Sequence, residues 1–142
     1  MIRKILISAA AATIAFSAVP AAAQDQPQQP RTTYELRFLD LAPGKDDRWN
    51  EIIETYFMPA RKAAGLPDVT IHWLVTGDYD ILMPMVMPRG MAAFDEHGGP
   101  ERRAFHQALV KIVGSEEAAT KLYDEMGEIV VRTKSVYSHT HP

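Results

Sequence analysis

Alternating apolar and polar residues, or clusters of β-branched and aromatic residues, mark four short segments as β-strands. The segments are 33–41, 69–76, 80–87 and 130–138. In the first, Tyr34, Leu36 and Phe38 fall on one face, and Glu35 and Arg37 fall on the other. Because successive side chains of a strand point to opposite faces, the pattern predicts one apolar face and one mixed face.

Turn residues join the second and third segments into a predicted hairpin. Gly77-Asp78 lies between the two segments, and this pair favours a turn. Pro84 lies inside the third segment and has no N–H group to donate to a sheet ladder. The third strand is therefore expected at a sheet edge, or bulged at Pro84.

Apolar residues at helical spacing follow the first strand and predict a helix that begins at Asp46-Asp47. Gly65 is a natural stop for this helix. Pro59 lies inside the pattern and is expected to kink the helix or divide it near Phe57, because a proline interrupts the helical hydrogen bonds.

The region between the third and fourth strands predicts a broken second helix. A short helical piece over 91–97 is followed by a longer helix that starts at Pro100 and ends at Gly114. Ser115 is a suitable N-cap for one more helix. The resulting order β-α-β-β-α-β is that of the ferredoxin-like fold, an α+β domain with a four-stranded antiparallel sheet.

The first 23 residues predict a cleavable export signal. Arg3 and Lys4 precede an apolar run that ends at Pro20, and Ala21-Ala22-Ala23 supplies the small residues of a cleavage site. The protein is therefore expected to be periplasmic or secreted and to begin at Gln24, which N-terminal sequencing of the exported protein tests. The predicted division is a signal peptide over 1–23, a polar Pro/Gln-rich linker over 24–32, one domain over 33–138 and a tail over 139–142.

Charge and cysteine content exclude several classes of function. Cleavage removes Arg3 and Lys4 and leaves 13 basic against 18 acidic residues, a net charge of −5. This acidic balance argues against nucleic acid and against an anionic membrane surface as partners. The absence of cysteine excludes disulfides and thiol nucleophiles.

Short motifs spread over most of residues 33–137 resemble those of NIPSNAP-type domains. They are Tyr34-Glu35-Leu36-Arg37, Pro43-Gly44-Lys45, Met58-Pro59-Ala60, Gly65, Trp73, Gly77 and Met87-Pro88. The resemblance implies a dimeric α+β barrel, in which two four-stranded sheets face each other. That superfamily includes small monooxygenases and haem-degrading enzymes, together with many proteins of unknown role.

A homodimer is also expected from a physical argument. A sheet with helices on one face leaves its other face uncovered. The alternation of side chains along each strand, called here strand parity, predicts that this uncovered face carries Leu39, Leu41 and Leu74, with Thr70 and Thr76. Such a face is too apolar to remain in water, and a second sheet would bury it.

The same parity argument predicts a ligand pocket between the two subunits. Glu35, Arg37, His72 and Arg132 are expected on the uncovered face, with Lys134 beside them. A few converging polar groups among apolar walls are typical of a ligand site. The alternative is an ion-pair ladder between neighbouring strands, with Glu35 bound to Arg132, which would stabilise the sheet and bind nothing.

Two histidines offer an alternative haem ligand. The segments Phe94 to His97 and Ala104 to His106 loosely resemble those in which haem-degrading members of the superfamily place their iron ligand, although surface positions on helices also explain both histidines. His139 and His141 form a weak metal motif in the tail, and no metal site is predicted. The sequence thus favours a small-molecule-binding protein without a cofactor. A finer form of this hypothesis is a monooxygenase-like enzyme that acts on an apolar or aromatic metabolite. A haem-binding protein and a non-enzymatic interaction module are the alternatives.

Overall fold

Four strands and four α-helices follow the predicted order in a computed structural model that describes residues 31–141. The strands are β1 (Thr33–Leu41), β2 (His72–Trp73), β3 (Ile81–Met87) and β4 (Val130–His139). The helices are α1 (Asp46–Ile52), α2 (Met58–Ala63), α3 (Pro100–Val113) and α4 (Glu116–Ile129). The predicted signal peptide and nearly all of the linker lie outside the described residues.

The strands form one antiparallel sheet in the order β2-β3-β1-β4, which confirms the ferredoxin-like α+β fold. β1 lies between β3 and β4 and pairs with both along most of its length. β2 pairs only with Ile81 and Leu82 of β3. Among the described residues, Pro84 therefore pairs with β1 on one side and has no strand beside it on the other. This position tolerates the missing N–H group.

A π-helical segment, Ile53–Phe57, joins α1 to α2. The Met58 N–H donates to the carbonyl of Ile53, a bond one residue longer than that of an α-helix. Pro59 follows at once and lacks the N–H that a regular α-helix would need there. The predicted division near Phe57 is thus confirmed, and it takes the form of a wider turn.

β2 is much shorter than the segment 69–76 that the sequence predicts. Val69 turns into the core, where its side chain is buried, and it does not join the sheet. At the other end, Asp80 is tied to β1: its N–H donates to the Leu39 carbonyl at 3.0 Å, and its carboxylate accepts from the Leu41 N–H at 2.8 Å. These contacts hold the start of β3 against β1, and across the hairpin the Leu74 N–H donates to the Asp80 carbonyl at 2.8 Å.

All four helices pack on one face of the sheet. The most deeply buried side chains come from the helices and from β3, namely Trp49, Ile52, Ile81, Leu109 and Ile129. Leu39 and Leu41 belong to the same core, at 5% and 9% exposed. Their predicted place on the uncovered face is therefore wrong. Within residues 31–141, no helix has the length and apolar content needed to cross a membrane.

The opposite side of the sheet, called here the open face, contributes nothing to the buried core. Paired residues of an antiparallel ladder share a face, so the register assigns its members. They are Tyr34, Leu36, Phe38, Asp40, His72, Leu82, Pro84, Val86, Arg132, Lys134, Val136 and Ser138. An apolar uncovered face thus exists as predicted, but different residues form it.

Candidate functional site

A cleft of about 740 Å³ lies between the sheet and the helices and is lined by residues of both. Its floor is formed by Met83 and Met85 of β3, with Glu35 and Arg37 of β1 beside them. The two methionine side chains are 8% and 9% exposed. The floor is therefore mostly apolar, with one pair of opposite charges.

Several helical segments form the walls of the cleft, and three of them supply its aromatic side chains and Ile53. The π-helical segment contributes Ile53 and Phe57, α3 contributes Phe105, and α4 contributes Tyr123. The Phe57 ring lies edge-on to Phe105 at 5.6 Å and is tilted against Tyr123 at 6.0 Å. Extended π-helical turns are frequent at functional sites, and here the wider turn directly precedes the residues that α2 adds to the cleft.

Glu35 and Arg37 form a two-pronged ion pair on the helix side of the sheet. Arg37 Nε donates to Glu35 Oε1 at 3.0 Å, and its second guanidinium nitrogen donates to Oε2 at 3.1 Å. The Ser135 hydroxyl also donates to Glu35 Oε1, at 2.7 Å. Glu35 is thus held by three donors and makes no contact with Arg132.

The parity that the sequence predicts for this pair is wrong, and β1 itself supplies the reason. Arg37 pairs with Met83 and Glu35 pairs with Met85, so both lie on the same face as the buried Leu39. The alternation of Tyr34, Leu36 and Phe38 resembles a core face, but it is the open face. Because a one-residue change of register exchanges the two faces, apolar residues on both sides of β1 make the pattern ambiguous.

His72 and Arg132 lie on the open face, as predicted, and are therefore separated from Glu35 and Arg37 by the sheet. Arg132 forms an ion pair with Asp40 at 3.0 Å, donates to the Asp78 carbonyl and covers the Tyr79 ring at 4.3 Å. These contacts make Arg132 a structural residue at the end of the sheet. The four predicted residues do not form one cluster.

Arg61 of α2 lines the cleft and was missed from the sequence, where it reads as an exposed helical residue next to Lys62. One guanidinium nitrogen donates to the Pro67 carbonyl at 2.7 Å. Its Nε atom is buried and has no hydrogen-bond partner among the described residues. Burial lowers the pKa of Arg61, and the nearby positive charge of Arg37 lowers it further.

His106 lines the same cleft at its α3–α4 wall. Its Nε2 atom lies 2.8 Å from a Glu116 carboxylate oxygen, and its Nδ1 atom lies 3.4 Å from the Tyr123 hydroxyl. Burial raises the pKa of Tyr123. Both ring nitrogens of His106 are engaged, so the residues as arranged do not present a free nitrogen to haem iron. His97 lies in an exposed turn outside the cleft.

Within residues 31–141, no three His, Asp or Glu side chains converge in the way that a metal ion needs. His139 and His141 approach each other, with their Nε2 atoms 3.1 Å apart. Two imidazoles at the end of a chain form only part of a metal coordination shell.

Solved structures with a similar fold belong to NIPSNAP proteins. A NIPSNAP family protein of unknown function from Agrobacterium tumefaciens is 11% identical over 77% of this chain and 87% of its own, with a TM-score of 0.50. A second structure from the same organism is 10% identical over 75% and 90%, with a TM-score of 0.47. An uncharacterised NIPSNAP domain protein from Burkholderia xenovorans is 12% identical over 75% and 91%, with a TM-score of 0.46.

The first of these likenesses confirms the NIPSNAP-like character of the domain at the level of the fold. No family model matches the sequence, and no curated protein matches it either. Because one fold serves many activities, the chemistry has to be argued from the side chains of the cleft.

Proposed function

We propose that this chain, with its NIPSNAP-like fold, is an exported protein that binds a small apolar molecule in the cleft between its sheet and helices. The observation that carries the proposal is the cleft itself, with a volume of about 740 Å³ and a lining of methionine and phenylalanine side chains. Ligand sites in proteins have volumes of about 300–1,000 Å³, apolar walls and a few polar groups. Arg61, His106 and Tyr123 supply such groups here.

The proposed ligand site lies on the helix side of one sheet, and not in the space between two sheets where the sequence predicted it. On the open face, Arg132 is already engaged by Asp40 and the Asp78 carbonyl. In the cleft, by contrast, Arg61 keeps a buried donor without a partner among the described residues. Arg61 therefore has a donor that a bound molecule could satisfy, whereas the guanidinium group of Arg132 is already paired.

The open face supports a second part of the proposal, a homodimer. Its centre is apolar, with Leu36, Phe38, Leu82 and Val86 half-buried and Val136 38% exposed. Charged residues lie toward one end, where Arg132 and Asp40 pair. A contiguous apolar patch with a polar rim is typical of a protein interface, and the open face of a second copy would be its partner.

A tryptophan in place of Ala93 is expected to weaken binding in the cleft by about tenfold or more, because a bulky indole would occupy ligand volume. Ala93 is half-buried and lines the cleft, on the 3₁₀ turn Gly90–Phe94. The probe is 4-phenylbutan-1-ol, which is apolar and uncharged, and the measurement is isothermal titration calorimetry.

Ala92→Trp is the matched control, because Ala92 is exposed on the same turn and does not line the cleft. It is expected to bind the probe as the wild type does. Equal loss in both variants, or wild-type affinity in Ala93→Trp, would contradict the location of the site. Absence of binding to the wild type, for this probe and for its carboxylate counterpart 4-phenylbutyrate alike, would contradict the proposed function itself.

A further inference from the structure

We infer that Arg61 is a carboxylate-binding subsite, so that the ligands of the cleft are apolar monocarboxylic acids. The inference rests on the proposed function, because it names the chemical class of the molecule that the cleft would take. It is carried by the position of one guanidinium group, by its missing partners and by the charges that surround it.

The hydrogen-bonding capacity of Arg61 is largely unused. A guanidinium group has five N–H donors, and the described contacts of Arg61 amount to one bond to the Pro67 carbonyl. Its Nε atom is buried without a partner among the described residues. Buried polar groups are nearly always paired in folded proteins, so an unpaired donor points to a partner that binds.

Among the arginines that line the cleft, Arg61 is distinguished by its buried donor, whereas Arg102 is exposed to solvent. Arg37 is neutralised by its ion pair with Glu35 at 2.9 Å. Glu101, at the edge of the cleft, is engaged by Arg89 at 2.8 Å. Arg61 has no ion pair among the described residues, and burial is the main influence that lowers its pKa; the charges of Arg37 and Asp68 act on it in opposite directions. A negative group bound at the buried guanidinium would offset the cost of burying its charge.

The shape of the site favours a carboxylate over a larger or more highly charged group. A planar carboxylate accepts two parallel hydrogen bonds from a guanidinium group, and its single negative charge matches the single positive charge of Arg61. Met83, Met85, Phe57 and Phe105 give the cleft a large apolar surface. The carboxylates that also line it, Glu35 and Glu101, are already paired with arginines. A molecule with one charged end and an apolar or aromatic body would satisfy both parts of the cleft.

The experiment compares two probes that differ only in the head group, 4-phenylbutyrate and 4-phenylbutan-1-ol, by isothermal titration calorimetry. The wild type is expected to bind the acid about tenfold more tightly than the alcohol, because the acid forms a charge-assisted bond that the alcohol lacks. Arg61→Met keeps the apolar stem and removes the charge, and it should abolish this preference. Binding of the alcohol should weaken less than binding of the acid, because the alcohol makes no charge-assisted bond and the apolar stem is retained.

Lys62→Met is the matched control. Lys62 is the next residue of α2, is exposed, and does not line the cleft, so its replacement removes the same charge nearby. This variant should keep the preference for the acid. If Arg61→Met and Lys62→Met lost that preference equally, the cause would be the change in net charge, and the subsite would be overturned. Equal affinity of the wild type for the two probes would overturn the subsite alone. Failure of both probes to bind would overturn the proposed function as well.

Discussion

Replacement of Leu36 by aspartate is expected to convert the protein from a dimer to a monomer. Leu36 lies at the centre of the open face, opposite Pro84 on one side and Val136 on the other. In the proposed dimer, each sheet would bury this position against its partner. An unpaired charge buried at an interface costs about 3–5 kcal/mol, so the dissociation constant should rise by more than about a hundredfold.

Light scattering coupled to size-exclusion chromatography at micromolar concentration measures this effect. Thr133→Asp is the matched control, because Thr133 is exposed on β4 and lies on the helix side of the sheet, opposite Leu39. It should remain a dimer. A wild type that is already monomeric, or a Leu36→Asp variant that stays dimeric, would rule out face-to-face pairing of the open faces.

Replacement of Trp49 by alanine is expected to have the largest effect on folding, about 3–5 kcal/mol in the free energy of unfolding. Trp49 is 0% exposed and packs edge-on against Trp73 at 5.8 Å, so it joins α1 to the short strand β2. Its removal would leave a cavity that the surrounding helices cannot fill. Urea denaturation followed by circular dichroism measures the loss.

Two further variants make the Trp49 prediction specific. Trp73→Ala should cost clearly less, because Trp73 is 45% exposed. Trp49→Phe should also cost less than Trp49→Ala, since it keeps a ring and removes the Nε1 donor, which is buried without a partner among the described residues. A Trp49→Ala variant that unfolds at the same urea concentration as Trp73→Ala would contradict the central place of Trp49 in the core.

The order and type of the elements could be predicted from the sequence because local signals fix them. Pro100 occupies the first turn of α3, and Gly114 ends that helix in a left-handed conformation with φ of 93°. The Ser115 side chain accepts from the Ala118 N–H at 3.1 Å at the start of α4. Such signals act within a few residues and do not depend on the rest of the fold.

The faces of β1 could not be predicted in the same way, because the strand is apolar on both sides. Tyr34, Leu36 and Phe38 form the open face, and Leu39 continues the face that carries Arg37. A central strand with apolar residues on both sides gives no single apolar face that would mark the core. Only the packing of Leu39 beneath the helices decides between the two registers.

The candidate site could not be predicted from the sequence, because it depends on contacts between distant parts of the chain. The cleft lies between Met83 and Met85 of the sheet and residues of α2 and α3, so its presence depends on the tertiary packing of the helices. Arg61 lies on a helix whose basic residues look like solvent contacts, and its burial becomes visible only in the fold. The one local sign was Pro59, which marks the irregular turn beside the cleft.

The central claim is that a small apolar molecule binds on the helix side of the sheet, and the methionine methyl groups report on it directly. Met58, Met83, Met85 and Met87 line the cleft, whereas Met91 and Met126 do not. In protein labelled with ¹³C at the methionine methyls, titration with 4-phenylbutyrate should shift the resonances of the first group and leave those of the second unchanged. Saturable binding that leaves all four cleft methyls unshifted would contradict the account.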